Sequence, residues 1–162
     1  MRIYFIILLV LLGLDQLSKF LVVSAMDLYE VRPLIPGLFN LVYVTNKGAA
    51  FSMFASVDSP LRHYFFVAVN SAAFLGLTIA AWKMTSHHLL YRVSFAMIAA
   101  GAVGNLIDRL RFGAVVDFLD FYVGTYHWPA FNVADSAICV GVAILFVLNI
   151  IELKKEKSRS KA

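Results

Sequence analysis

The chain is 162 residues long, 61% hydrophobic and 15% charged, with a net charge of +4. Soluble domains are nearer half apolar and a quarter charged, so this balance excludes an ordinary soluble domain and indicates one integral membrane domain, residues 1–162. A single cysteine, Cys139, excludes an internal disulfide framework, no Cys/His spacing suggests a metal, and basic residues at the edges of apolar runs speak against nucleic acid.

Four runs are candidates for transmembrane helices. Crossing about 30 Å of hydrocarbon takes about 20 apolar residues, and every backbone group there needs an internal partner. The first run, about 3–23, is interrupted by Asp15 and Lys19. Arg2, an apolar core and the small ending Val23-Ser24-Ala25 also fit a cleaved leader. An i, i+4 ion pair between core and cleavage site is unusual in a leader and favours a retained helix. Residues 24–62 follow as an external segment, too long for a plain turn. Its alternating, β-branched stretch 41–45 predicts a strand, with Asn46-Lys47-Gly48 as a hairpin turn. The apolar stretch 49–54 is expected on the membrane surface. Further helices are expected at about 64–82, 91–110 and 131–151, before a basic tail at 152–162. The expected fold class is an all-α polytopic membrane protein with a small external β-rich segment between helices 1 and 2.

Lys and Arg favour cytoplasmic loops. With the N-terminus inside, Arg2, Lys83, Arg92 and the tail residues Lys154, Lys155, Lys157, Arg159 and Lys161 lie inside. Arg32, Lys47, Arg62, Arg109 and Arg111 lie outside. Both termini are therefore expected in the cytoplasm.

An antiparallel four-span bundle brings the end of helix 1, the end of helix 3 and the start of helix 4 to one membrane face, the outer one. Asp15 and Lys19, Asn105, Asp108 and Arg109, and Asn132 and Asp135 all fall there, with Asp117 and Asp120 in the short link between helices 3 and 4. Spacings of three and four put each group on one helical face. Such stripes also glue helices together, a role that fits Asp15/Lys19 and Asp108/Arg109, each with a built-in partner. Asp117 and Asp135 have no cation three or four residues away. Two such acids at a water–lipid boundary suggest a proton-sharing dyad, one carboxylate a base toward water and the other an acid toward a carbonyl. A proton or ion pathway through Asp15, Asp108 and Asp135 is the alternative, although helix 2 and the inner halves of helices 3 and 4 are read as lacking the polar groups it needs. A purely structural role leaves Asp117 and Asp135 unexplained. His63, His87, His88 and His127 have no site-forming spacing, and His87 and His88 are expected to be solvated.

Five stretches, "DQLSK" (15–19), "NKGAAFS" (46–52), "GAVGNLIDR" (101–109), "GAVVDFLDF" (113–121) and "FNVADS" (131–136), taken in order, resemble the lipoprotein signal peptidase (signal peptidase II) family over almost the whole chain. The resemblance implies an aspartic endopeptidase of the bacterial inner membrane, removing the leader of prolipoproteins before a diacylglyceryl-cysteine. Asp117 and Asp135 match the family's catalytic pair. Asn46, Asn105, Arg109 and Asn132 match substrate-binding or supporting positions lining its site, and Asp15, Asp108, Gly101 and Gly104 match positions important to its architecture. The external segment matches a periplasmic cradle. The implied partners are a diacylated prolipoprotein and membrane lipid, with no metal or cofactor, and a monomer is expected. The small residues 99–104 are expected to allow close helix approach and to leave room for leader or lipid.

Overall fold

Four helices, α1 (Arg2–Ala25), α2 (Pro60–Lys83), α3 (Leu89–Phe112) and α4 (Val133–Arg159), are each long and apolar enough to cross a membrane. The computed structural model describes residues 1–48, 60–83 and 89–159. The stretch 49–54, His87, His88 and Lys161 lie outside the described residues, as do the expectations attached to them. α4 runs well past the expected end at residue 151 and carries the basic tail as helix to Arg159.

α3 is the hub and packs against α1, α2 and α4. Its sequence explains this, because Ala96, Ala99, Ala100, Gly101, Ala102 and Gly104 leave the helix without bulk on several sides. A Cβ at Gly101 would collide with the Ala134 carbonyl oxygen and lie 2.6 Å from Ile138 Cγ1, and one at Gly104 would strike Asp15 Oδ2. The space at 99–104 is thus taken by α4 and Asp15. It is not left open for leader or lipid, as the sequence reading had it. The outer faces of α1, α2 and α4 expose large apolar side chains such as Leu9, Phe20, Phe65 and Phe146. In hydrocarbon these are the solvent-matched surface. At one end of the bundle Tyr4, Leu8, Ala81 and Ala96 close an apolar cluster, and Tyr4 Oη shares a 2.7 Å hydrogen bond with Thr78 Oγ1.

The other end carries an antiparallel sheet in the order β1 (Val31–Ile35), β2 (Phe39–Asn46), β3 (Val115–Val123), β4 (Tyr126–His127). The protein is therefore mostly helical rather than all-α. The β-structure comes from both the α1–α2 and the α3–α4 connections. "VVDFLDFYV" is apolar on both faces and broken only by acids, so it lacks the alternation that marks a half-buried strand. The hairpin turn is also displaced. β1 and β2 are joined at Ile35-Pro36-Gly37-Leu38, where Leu38 N–H donates to Ile35 O at 3.0 Å and Gly37 has φ 82°. Proline followed by a positive-φ glycine is the type II signature, so the turn precedes the strand rather than following it at Asn46-Lys47-Gly48.

Two pairings position the site. β2 meets β3 with Val44 opposite Asp117, Asn46 opposite Val115 and Asn40 opposite Asp120. Phe131, just before α4, pairs back onto Leu119 through hydrogen bonds of 3.1 and 2.9 Å. This return lays Asn132 against the strand that carries Asp117.

Candidate active site

A buried ionic knot holds the three helices together. Lys19 Nζ lies 2.9 Å from both Asp15 Oδ2 and Asp108 Oδ2, and donates to Asn105 Oδ1 at 3.2 Å. Asp108 thus faces Lys19 across the bundle rather than its neighbour Arg109; successive helical residues do not face one another. Both carboxylates also accept backbone N–H groups. Asp15 Oδ1 accepts Ala134 N–H at 2.9 Å, satisfying one of the orphan donors of α4's first turn. Asp108 Oδ2 also accepts Val116 N–H at 3.1 Å, which ties β3 to α3. Gly104 has no side chain because Asp15 occupies that place.

Asn132 caps α4. Its Oδ1 accepts Asp135 N–H at 2.9 Å, and its Nδ2 donates to Asp117 Oδ1 at 2.7 Å, with Val116 O and Asn105 Oδ1 at 3.1 and 3.3 Å. An N-cap asparagine ordinarily spends its amide nitrogen on solvent; here it reaches the other acid. Asn105 completes the set, donating from Nδ2 to Asp135 Oδ1 at 2.8 Å. Asp117 is 2% exposed. Burial above all, and then the charge of Asp135, push its carboxyl up to about 7, against the opposing pull of hydrogen bonds from Asn46 and Asn132 and the charge of Lys19.

The acids differ in access. Asp135 lines a cavity of about 520 Å³, together with Asn46, Asn105, Arg109 and the apolar side chains of Phe66, Val69 and Ile138. Asp117 is the more deeply buried of the two and does not itself line the cavity. Arg109 Nη2 donates to Gly48 O at 2.9 Å and the guanidinium lies 5.0 Å from the centroid of the Phe66 ring, so it clamps β2's end and α2 to α3. Among the described residues no group of three His, Cys, Asp or Glu side chains is arranged to hold a metal ion.

The model of the signal peptidase (SPase) II family matches residues 7–151. The chain belongs to this family. The lipoprotein signal peptidase of Geobacter metallireducens is 49% identical over 158 residues, 98% of this chain and 96% of that protein. That of Geobacter sulfurreducens is 50% identical over 146 residues, 90% of each chain. A solved structure described as a bacterial membrane enzyme superposes with a TM-score of 0.82 at 30% identity, over 98% of this chain and 92% of the other. The chain is thus a multi-pass membrane protein of a protease family, and the signal peptidase II relationship covers the knot, both acids and the cavity.

Other polar contacts in this member of the family are not legible in the sequence. Gln16, beside Asp15, shares its Nε2 among Asp15 Oδ2, Gly104 O and Asp108 Oδ1 at 3.1 to 3.2 Å. Asp120 is buried, accepting Asn40 Nδ2 at 2.8 Å and lying 2.9 Å from His127 Nδ1, whose ring stacks on Tyr122. Only the sheet register, invisible in the sequence, brings Asn40 and His127 to it. Cys139, set aside on spacing, lies on the cavity wall one turn from Asp135.

Proposed function

We propose that this chain removes the signal peptide of diacylglyceryl-modified prolipoproteins, cutting before the lipidated cysteine, by aspartic catalysis on Asp117 and Asp135. The observation that carries the reading is Asn132, whose side chain bonds both the Asp117 carboxylate and the Asp135 backbone N–H, with Asp135 on the wall of a largely apolar cavity. Asp135, open to the cavity, is the base. It takes a proton from water as the oxygen attacks the scissile carbonyl carbon. Asp117, which holds its proton to about pH 7, gives it to the carbonyl oxygen. In the collapse of the resulting diol, Asp135 passes its proton to the departing nitrogen, the C–N bond breaks, and Asp117 recovers a proton from a diol hydroxyl. Both acids end as they began, and the steps call on no metal or cofactor. Asn46, Asn105, Arg109 and Asn132 position the acids and substrate, whereas Asp15, Lys19 and Asp108 hold the frame.

In this reading the single domain lies in the bacterial inner membrane as a monomer. Both termini and the basic end of α4 are cytoplasmic. The sheet is an external cradle, and the site sits near the outer face, where the substrate's acyl chains remain in lipid. Support comes from the Lys/Arg asymmetry and from the placement of every intrusive acid at the sheet end of the bundle.

The test is incubation of purified protein in detergent with a diacylated prolipoprotein and with its unacylated form. Cleavage of the first alone, before the cysteine, is expected; no cleavage of either would refute the function. In intact cells of a Cys139→Ser background, Tyr126→Cys should label from outside and Ser158→Cys should not.

A further inference from the structure

α2 carries no charge through its apolar span, yet Asn70 sits in the middle of it. Its side chain lines the cavity that holds Asp135, Asn105 and Arg109, while its Nδ2 is shut off from solvent and has no hydrogen-bond partner among the described residues. Its height follows from helix geometry. Phe66 lies against Arg109. Asn70 is one turn along α2 from Phe66, and Asn105 is one turn back along the antiparallel α3 from Arg109. Asn70 therefore stands level with Asn105, whose amide bonds Asp135. A leucine would fill this position without leaving a donor unmade in an apolar wall.

An acceptor must then come from what enters the cavity. A leader helix must unwind where it is cut, and carbonyls freed in hydrocarbon need new donors. We propose that Asn70 is a substrate-binding residue whose amide donates to a carbonyl oxygen of the bound substrate. Two carbonyls qualify, a backbone carbonyl of the unwound leader or an ester carbonyl of the diacylglyceryl group. The inference rests on the peptidase reading above.

The experiment compares wild type, Asn70→Leu and Asn70→Gln on two diacylated prolipoproteins, one with ester-linked chains and one with ether-linked chains that lack those carbonyls. Melting temperature and equilibrium binding to each substrate are measured alongside. Asn70→Leu should lower kcat/KM on the ester substrate about tenfold, the worth of one hydrogen bond. It should melt at or above the wild-type temperature, because an unpaired buried donor has gone. Asn70→Gln, which keeps a donor, should recover part of the loss. If the loss persists on the ether substrate, the acceptor is a leader carbonyl. If wild type itself falls tenfold on the ether substrate and Asn70→Leu adds nothing, it is the ester. Unchanged kcat/KM in Asn70→Leu on the ester substrate, or loss only in step with melting, would overturn the proposal. Were wild type to cleave nothing, the peptidase reading would fall. Weaker binding by Asn70→Leu would still uphold the carbonyl site, and equal binding would overturn it.

Discussion

Asn132 and Asp117 are joined by a 2.7 Å hydrogen bond between the N-cap of α4 and the third residue of β3. Through its other amide atom the same asparagine fixes the start of the helix that carries Asp135. One residue thus sets the spacing of the two acids, and its two functions can be separated. Serine is as good an N-cap as asparagine but has no amide to reach Asp117. Asn132→Ser should keep the melting temperature within a few degrees of wild type while lowering kcat more than tenfold.

The pH profile should report the Asp117 proton. With its carboxyl pushed up to about 7, the acid form is lost as pH rises, so kcat should fall above about pH 7. Asn132 bonds the charged form and pulls this value down. In Asn132→Ser the alkaline limb should therefore move to higher pH. Stability carries the same sign. The native state keeps this proton up to about 7, whereas the unfolded chain gives it up in the usual carboxylate range. The contribution is complete below that range and lost as pH climbs through about 7. Asp117→Asn should remove that slope from the melting temperature.

The knot makes Lys19 costlier to lose than Asp15. Lys19→Met leaves Asp15 and Asp108 buried without their shared cation, and breaking a buried pair in this way costs roughly 3–5 kcal/mol. Asp15→Asn leaves Lys19 paired with Asp108 and weakens one charged hydrogen bond to Ala134 N–H, a loss of about 1.5–3 kcal/mol. Thermal melting and membrane abundance of the two variants should rank in that order. Equal destabilisation would mean that the second carboxylate contributes nothing.

Gly104→Ala should act through Asp15. The added methyl takes the place of the Asp15 carboxylate and crowds Ala134 Cβ at 3.2 Å, so α3 must move away from α1 and α4. A loss of roughly 1–3 kcal/mol is expected for overpacking of this kind. Gly13→Ala, on a face with nothing within 4 Å, should be neutral or slightly stabilising.

The helices and the gathering of acids were legible because hydropathy and i, i+4 spacing are local. Asp15, Lys19, Asn105, Asp108, Asn132 and Asp135 all lie where an antiparallel bundle puts them. What escaped was set by register. The pairing of β3 with β2 joins residues 80 apart at Asn40 and Asp120, so Asp120 finds Asn40 only in three dimensions. Adjacency in sequence pairs Asp108 with Arg109, whereas tertiary packing gives it Lys19. The turn at Pro36-Gly37 did carry a local signal, outweighed by the Asn-Lys-Gly that follows the strand. Asn70 leaves no mark on the hydropathy pattern, because one amide hardly alters a span.

In the proposed mechanism Asp117 and Asp135 act as one proton-sharing pair. The direct measurement is the single-turnover cleavage rate of a diacylated prolipoprotein by wild type, Asp117→Asn, Asp135→Asn and the double variant, each corrected for folded protein by its melting transition. Members of a catalytic unit are strongly non-additive. Each single change should therefore abolish cleavage, by at least about a thousandfold, with the double variant no worse and all four proteins folded. Asp120→Asn, outside the pair, should retain measurable cleavage. A rate within tenfold of wild type in a folded Asp117→Asn or Asp135→Asn protein would contradict the account.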